Sequence, residues 1–323
     1  MIIIAIFNNK GGVGKTTYLY HLANLIADNG KKVLMVDCDS QCNLTNYSLT
    51  EEVIERSWSE EGNSIYQVIK PIHKGIGDFI KRDPTRINNN LYIVPGDIDL
   101  SIFEDRLGET WSSARNQESS LRVQIAIYRY IKYAGISISA DYVFVDMGPN
   151  LGALNRAVIG CCDYFITPVS PDLFSIKGSQ NLGDKFIVWS DEWRDIIEKW
   201  NKESFEELPV AKPKFLGYVV QQHNLRNTQT GMTKAWSIFG ARLNQAINNN
   251  IVNKLSVIGQ TVCMPDYNLG QIPNLHSLIP YSQEARKPVY KCTAQDGLKG
   301  AHITTARESS NYYRRILEIL LSL

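Results

Sequence analysis

An apolar run from Ile2 to Phe7 leads into Lys10-Gly11-Gly12-Val13-Gly14-Lys15-Thr16-Thr17, after which Leu19, Leu22, Ala23, Leu25 and Ile26 recur at helical spacing until Gly30. The residue types in this segment suit the binding of a polyphosphate. Glycines let backbone N–H groups approach phosphate oxygens, and a following helix N-terminus adds partial positive charge. Lys15 would neutralise the β- and γ-phosphates while the Thr16 hydroxyl reaches Mg²⁺. The stretch Lys10 to Thr17 therefore reads as a cradle for a nucleoside triphosphate, set between a strand and a helix. The strict pattern G-x-x-x-x-G-K-[ST] is not met, because Asn9 stands at its first glycine and a second lysine, Lys10, follows; G-x-G-x-x-G is not met either.

A Mg-nucleotide also needs carboxylates at strand ends, to hold the metal's waters and to orient an attacking water. Asp146 follows Tyr142-Val143-Phe144-Val145 and is placed to contact Mg²⁺ through water. Asp37 ends the run Val33 to Val36 and is expected to support the metal and the phosphate loop; Asp39 lies two residues further on.

K-G-G-x-G-K-T-T after a first strand resembles the deviant Walker A motif of the ParA/MinD family of dimerising ATPases, closest to its ParA/Soj-type partition members. Val33 to Asn43 (VLMVDCDSQCN) resembles the family's strand ending in D-x-D-x-Q-x-N, here Asp37, Asp39, Gln41 and Asn43. Tyr142 to Pro149 (YVFVDMGP) resembles the Walker B strand, where the family more often has D-x-P-P. Asn155 stands where the family commonly has Asn, and IPNLHSLIPYSQEARKPVY, followed by Gly300-Ala301-His302, resembles its C-terminal segment. The resemblance implies ATP and Mg²⁺ as cofactors, with Thr16, Asp37, Asp39 and Asp146 around the metal and Asp39 ordering the hydrolytic water. It implies that Lys10 reaches the nucleotide of a second subunit, so that Lys10, Lys15 and Asp39 form the catalytic set and ATP joins a homodimer that hydrolysis releases. A ParB-like or other stimulating partner, and the positioning of DNA or another cargo, follow from the same resemblance. The alternative is a regulatory ATPase subunit that licenses a partner complex in mobile-element maintenance or defence, without partition.

The elements that must hold this machinery are legible as alternation. Further strand-like runs at Leu91 to Val94, Tyr164 to Val169 and Phe215 to Val220 are separated by helical stretches at Leu121 to Tyr133, Ser175 to Trp189 and Thr233 to Ala246. Such alternation means an α/β fold, a doubly wound and mostly parallel sheet with helices on both faces. One P-loop domain over residues 1–323 is expected, with polar insertions near 50–90 and 104–120 and a surface loop at Glu203 to Pro213. With a strand beginning at Ile2, no N-terminal helix-turn-helix is expected.

With 44% hydrophobic and 21% charged residues and a net charge of +1, the 323-residue chain is neither disordered nor broadly polyanion-binding. The six cysteines form no C-x-x-C pair and read as reduced core side chains. Between Arg286 and Arg315 seven basic residues face two acidic ones. Arg286, Lys287, Lys291, Lys299 and Arg307 are the candidates for non-specific contact with duplex phosphates, a solvated charged face being the competing reading. Ile316, Ile319, Leu320 and Leu323 recur at helical spacing and are assigned to core packing rather than to a membrane; the expected location is cytoplasmic, with nucleoid association if DNA is bound. One of Gln221, Gln222 and His223 is expected to read the base.

Overall fold

The computed structural model describes residues 1–202, 208–223 and 234–323. β1 (Ile2–Ile6) is apolar throughout because neighbours and helices cover it on every side: it pairs in parallel with β5 (Tyr142–Met147) on one edge and β6 (Tyr164–Val169) on the other. With β2 (Val33–Cys38), β3 (Thr85–Arg86), β4 (Leu91–Val94), β7 (Lys214–His223) and β8 (Asn268–Pro273) it forms one eight-stranded sheet in the order β3-β4-β2-β5-β1-β6-β7-β8. Among the described strands only the short β3 runs antiparallel, against β4. The expected doubly wound α/β sheet is therefore present.

Alternation along β1 decides which layer each side chain enters. Ile4 and Ile6 pack with α1 (Lys15–Asp28), α2 (Asn43–Ser48), α3 (Glu51–Trp58) and the C-terminal α14 (Arg314–Ser322). Ile3, Ala5 and Phe7 enter the opposite core, with α4 (Ile65–Lys74), α5 (Leu100–Thr110), α6 (Glu118–Gln124), α7 (Ala126–Ser137), α8 (Ala153–Ile159), α9 (Leu173–Lys202), α10 (Lys234–Ile247) and α11 (Asn253–Val257). Two short helices, α12 (Leu278–Ala285) and α13 (Ala301–Glu308), belong to a small satellite core around Val289 and Leu298.

Three stretches differ in detail from the reading of the sequence. Within the stretches 50–90 and 104–120, expected as polar insertions, α3, α4 and the end of α5 are helical, and Ile65, Val68 and Ile69 on α4 and Leu107 on α5 are buried in the main core. Their helices are amphipathic, so the polar face dominated the composition while the apolar face went inside. The helix expected from Leu121 to Tyr133 is two helices, α6 and α7, broken at Ile125. β8, unread as a strand in the sequence, has no apolar run and carries Gly270 at φ 146°. Trp189, Trp193 and Trp200 are buried, and the cysteines are buried as expected except Cys263. Of the Glu203 to Pro213 loop, residues 203–207 lie outside the described residues, as does Thr233 at the start of the expected helix over α10.

Candidate functional site

The glycine-rich loop joins the carboxyl end of β1 to α1. Gly12 (φ 71°) and Gly14 (φ 77°) take left-handed conformations that an L side chain would strain. Gly14 also meets a neighbour: a Cβ there would lie 3.1 Å from Gln221 Oε1, and Gln221 Nε2 donates to the Gly14 carbonyl at 3.2 Å. Buried Gln221 on β7 thus braces the loop; the side chains of Gln222 and His223 lie outside the described residues. Lys15 is 7% exposed, and burial lowers its ammonium pKa against the opposing pull of Asp146 and Asp39.

Two carboxylates sit opposite each other in register where β2 and β5 end, Asp37 beside Asp146. Both are fully buried. Asp146 Oδ2 accepts the Thr16 hydroxyl at 2.6 Å, while Oδ1 has no hydrogen-bond partner. Burial, then the charge of Asp37, pushes the Asp146 carboxyl up to about 8. Asp37 is engaged by the chain itself. Its Oδ2 accepts both the Thr45 N–H (2.8 Å) and the Thr45 hydroxyl (2.7 Å), and its Oδ1 accepts the Asp39 N–H at 3.2 Å. It braces the β2 loop from within, and burial raises it to about 6.

Asp39 does face the site. It lines a cavity of about 540 Å³ together with Gly11, Gly12, Gly14, Lys15, Thr16, Thr17, Gln41, Asn43 and Pro149. Gly148 leaves it room, since a Cβ there would stand 3.4 Å from Asp39 Oδ1. The loop after β5 is pinned by Asn155, whose Nδ2 donates to the carbonyls of Gly148 and Asn150, both at 2.8 Å. The oxygens of Thr16, Asp39 and Asp146 are hard donors of the kind Mg²⁺ takes, and the orphaned Asp146 Oδ1 fits an ion or its water. Among the described residues no three His, Cys, Asp or Glu side chains cluster to hold a metal, so an ion here would depend on phosphate oxygens and water.

A family model described as an AAA domain matches residues 1–198. The sporulation initiation inhibitor protein Soj of Bacillus subtilis is 29% identical over 180 residues, 56% of this chain and 62% of Soj. The chain belongs to the ParA/MinD-type family of P-loop ATPases. It spans between 51% and 64% of the length of the curated relatives it matches. Protein DIP2308 of Corynebacterium diphtheriae superposes with a TM-score of 0.69 at 29% identity, covering 88% of this chain and 97% of that one. An ATP complex of a McdA variant from Cyanothece shares the fold at TM-score 0.61 and 16% identity, each chain 96% covered.

The other ParA-type features fall unevenly. Lys10 does not line the cavity; its ammonium pairs with Asp172 and lies 5.8 Å from the Phe174 ring centre. Among the expected nucleic-acid contacts, Arg286 donates from Nε to the Leu49 carbonyl at 2.7 Å and lines the phosphate-loop cavity. Lys287 pairs with Asp296 at 2.7 Å and Lys291 with Asp28 at 2.6 Å. Lys299 and Arg307 are exposed. Carboxylates brought in by the fold thus pair with two of the five. In α14, Ile316 and Leu320 are buried against α1 and the sheet, and no described helix is long and apolar enough to cross a membrane.

Sequence reasoning missed His21. It is fully buried on α1, with Nδ1 2.7 Å from the Thr17 carbonyl and Nε2 accepting the Val289 N–H at 2.9 Å. Those partners require the neutral ring with its proton on Nδ1, and burial lowers it to about 4. A lone histidine in an apolar helix gives no signal of such a link.

Proposed function

We propose that this chain is an ATP-dependent dimerising switch of the ParA type, hydrolysing ATP with Mg²⁺ and releasing its partner subunit when it does. The observation that carries the reading is the division of labour between two lysines of one loop: Lys15 is buried in its own phosphate cavity, whereas Lys10 lies outside that cavity's lining. An amine that does not serve its own site can serve a neighbour's once it leaves Asp172. Gly11 to Thr17 hold the triphosphate through backbone N–H groups and Lys15, and Asp39 orders the attacking water. Thr16 and, through water, Asp146 hold the metal, which when bound neutralises charge on the β- and γ-phosphates. Asp37 positions Asp39 and takes no direct part. ATP favours the dimer because it is bound more tightly there than in the monomer. Light scattering of the Asp39→Ala variant with ATP should show twice the monomer mass, and adding Lys10→Ala should return it to the monomer while nucleotide still binds. Dimers that survive Lys10→Ala would contradict the reading.

Non-specific DNA binding by the ATP dimer, stimulation by a ParB-like partner and partition of DNA or other cargo are the downstream roles we infer. Soj and the chromosome partitioning protein ParA of Caulobacter vibrioides support them by similarity. The pairing of Lys287 and Lys291 within the chain favours the second reading, a regulatory subunit that licenses a partner complex without DNA. Duplex affinity that appears only with ATP and falls steeply with salt separates the two.

A further inference from the structure

Lys10 is engaged, and the residue that engages it is built into the fold. Asp172 opens α9: its Oδ1 accepts the Ser175 N–H at 2.9 Å and its carbonyl accepts the Ile176 N–H at 3.3 Å. The carboxylate is thus divided, Oδ1 capping the helix and Oδ2 taking the Lys10 ammonium. The two segments that carry the pair are themselves tied together by Asn8. Its Oδ1 accepts the Lys10 N–H at 3.0 Å, and its Nδ2 donates to the Pro168 carbonyl on β6 at 2.7 Å. A Cβ on Gly178, further along α9, would stand 3.4 Å from Asn9 Oδ1, so helix and loop lie close. The pair is accessible, with Lys10 29% and Asp172 36% exposed. Beside it Leu173 and Phe174 are 60% and 76% exposed, an uncovered apolar edge.

We propose that Asp172 is the positioning residue of Lys10: it holds the amine beside α9, and a second subunit's triphosphate must win the amine from it. This rests on the reading of Lys10 as the residue that crosses to the other subunit. A half-exposed carboxylate is a weak competitor against a polyphosphate, so the latch does not prevent dimerisation but sets the ATP level at which it occurs. Each dimer opens two such latches.

Asp172→Asn separates the two duties of the side chain, because Asn caps a helix as well as Asp does but carries no charge. In the Asp39→Ala background, light scattering across an ATP titration should show half-dimerisation at an ATP concentration about threefold to fivefold lower than with Asp172. The affinity of the monomer for ADP should stay unchanged, and folding stability should fall by no more than the loss of this one ion pair accounts for, whereas a loss of helix capping alone would lower stability without lowering the ATP midpoint. Asp172→Ser, also a good cap, should shift the midpoint the same way. An unchanged or higher ATP midpoint in both variants, while Lys10→Ala abolishes dimers, overturns the latch and leaves the reading of Lys10 standing. Dimers persisting in Lys10→Ala overturn both.

Discussion

Asp146 concentrates the electrostatic cost of the site. Its folded pKa of about 8 lies above the ordinary carboxylate value, because burial and Asp37 outweigh the Thr16 hydroxyl and Lys15. A carboxyl raised on folding binds more protons in the native than in the unfolded state, so stability falls as pH rises from about 4 towards 8. The ligand-free protein should therefore gain from Asp146→Asn, on the order of 2 kcal/mol at pH 8 and little at pH 4. Urea unfolding of both proteins at the two pH values checks this. A less stable variant at pH 8 would show that the charge is already compensated. The same variant should lose the Mg²⁺ dependence of nucleotide binding. The sequence made Asp146 and Lys15 legible because each follows an apolar strand or glycine loop within a few residues. It could not reveal Asp172, which meets Lys10 across 162 positions of chain, nor that Thr45 would saturate Asp37.

At the scale of elements, the central strands were readable because β1, β2, β5 and β6 are near-continuous apolar runs, the pattern of strands covered on both faces. α4 was not, because its polar face and internal Pro71 masked the buried row of Ile65, Val68, Ile69 and Ile72. β8 lies at the sheet edge, where half-polar sequence suffices, and its Asn268, Gly270 and Gln271 carry no strand signature. The most consequential junction is α1 with the C-terminal segment. His21 joins Thr17, in the first turn of α1, to Val289, and its ring stacks on Tyr313, which stacks in turn on Tyr18. Folding depresses the His21 pKa to about 4, so the contribution of neutral His21 is complete above pH 6.5 and is lost as pH falls from 6.5 towards 4. We expect wild type to lose up to about 3 kcal/mol across that window relative to His21→Gln, which lacks the titration. Parallel pH dependences of the two proteins would place the proton elsewhere.

For the whole molecule, strand order explains why distant residues converge. β2, β5 and β1 are adjacent, so Asp37, Asp146 and the phosphate loop all leave the sheet at the same edge, the carboxyl ends where doubly wound sheets place their ligands. The later part of the chain then closes the site from outside the motif: Gln221 against Gly14, Arg286 along the cavity wall, Val289 behind His21. Lys10 alone among the loop's cations is turned away, towards Asp172 and an exposed apolar edge. The most direct test is a crystal structure of the Asp39→Ala protein grown with ATP and Mg²⁺. The account predicts a two-fold dimer in which Lys10 has left Asp172 and its Nζ hydrogen-bonds the triphosphate held by the other subunit. A monomer, or a dimer with Lys10 still on Asp172 or on its own nucleotide, would contradict it.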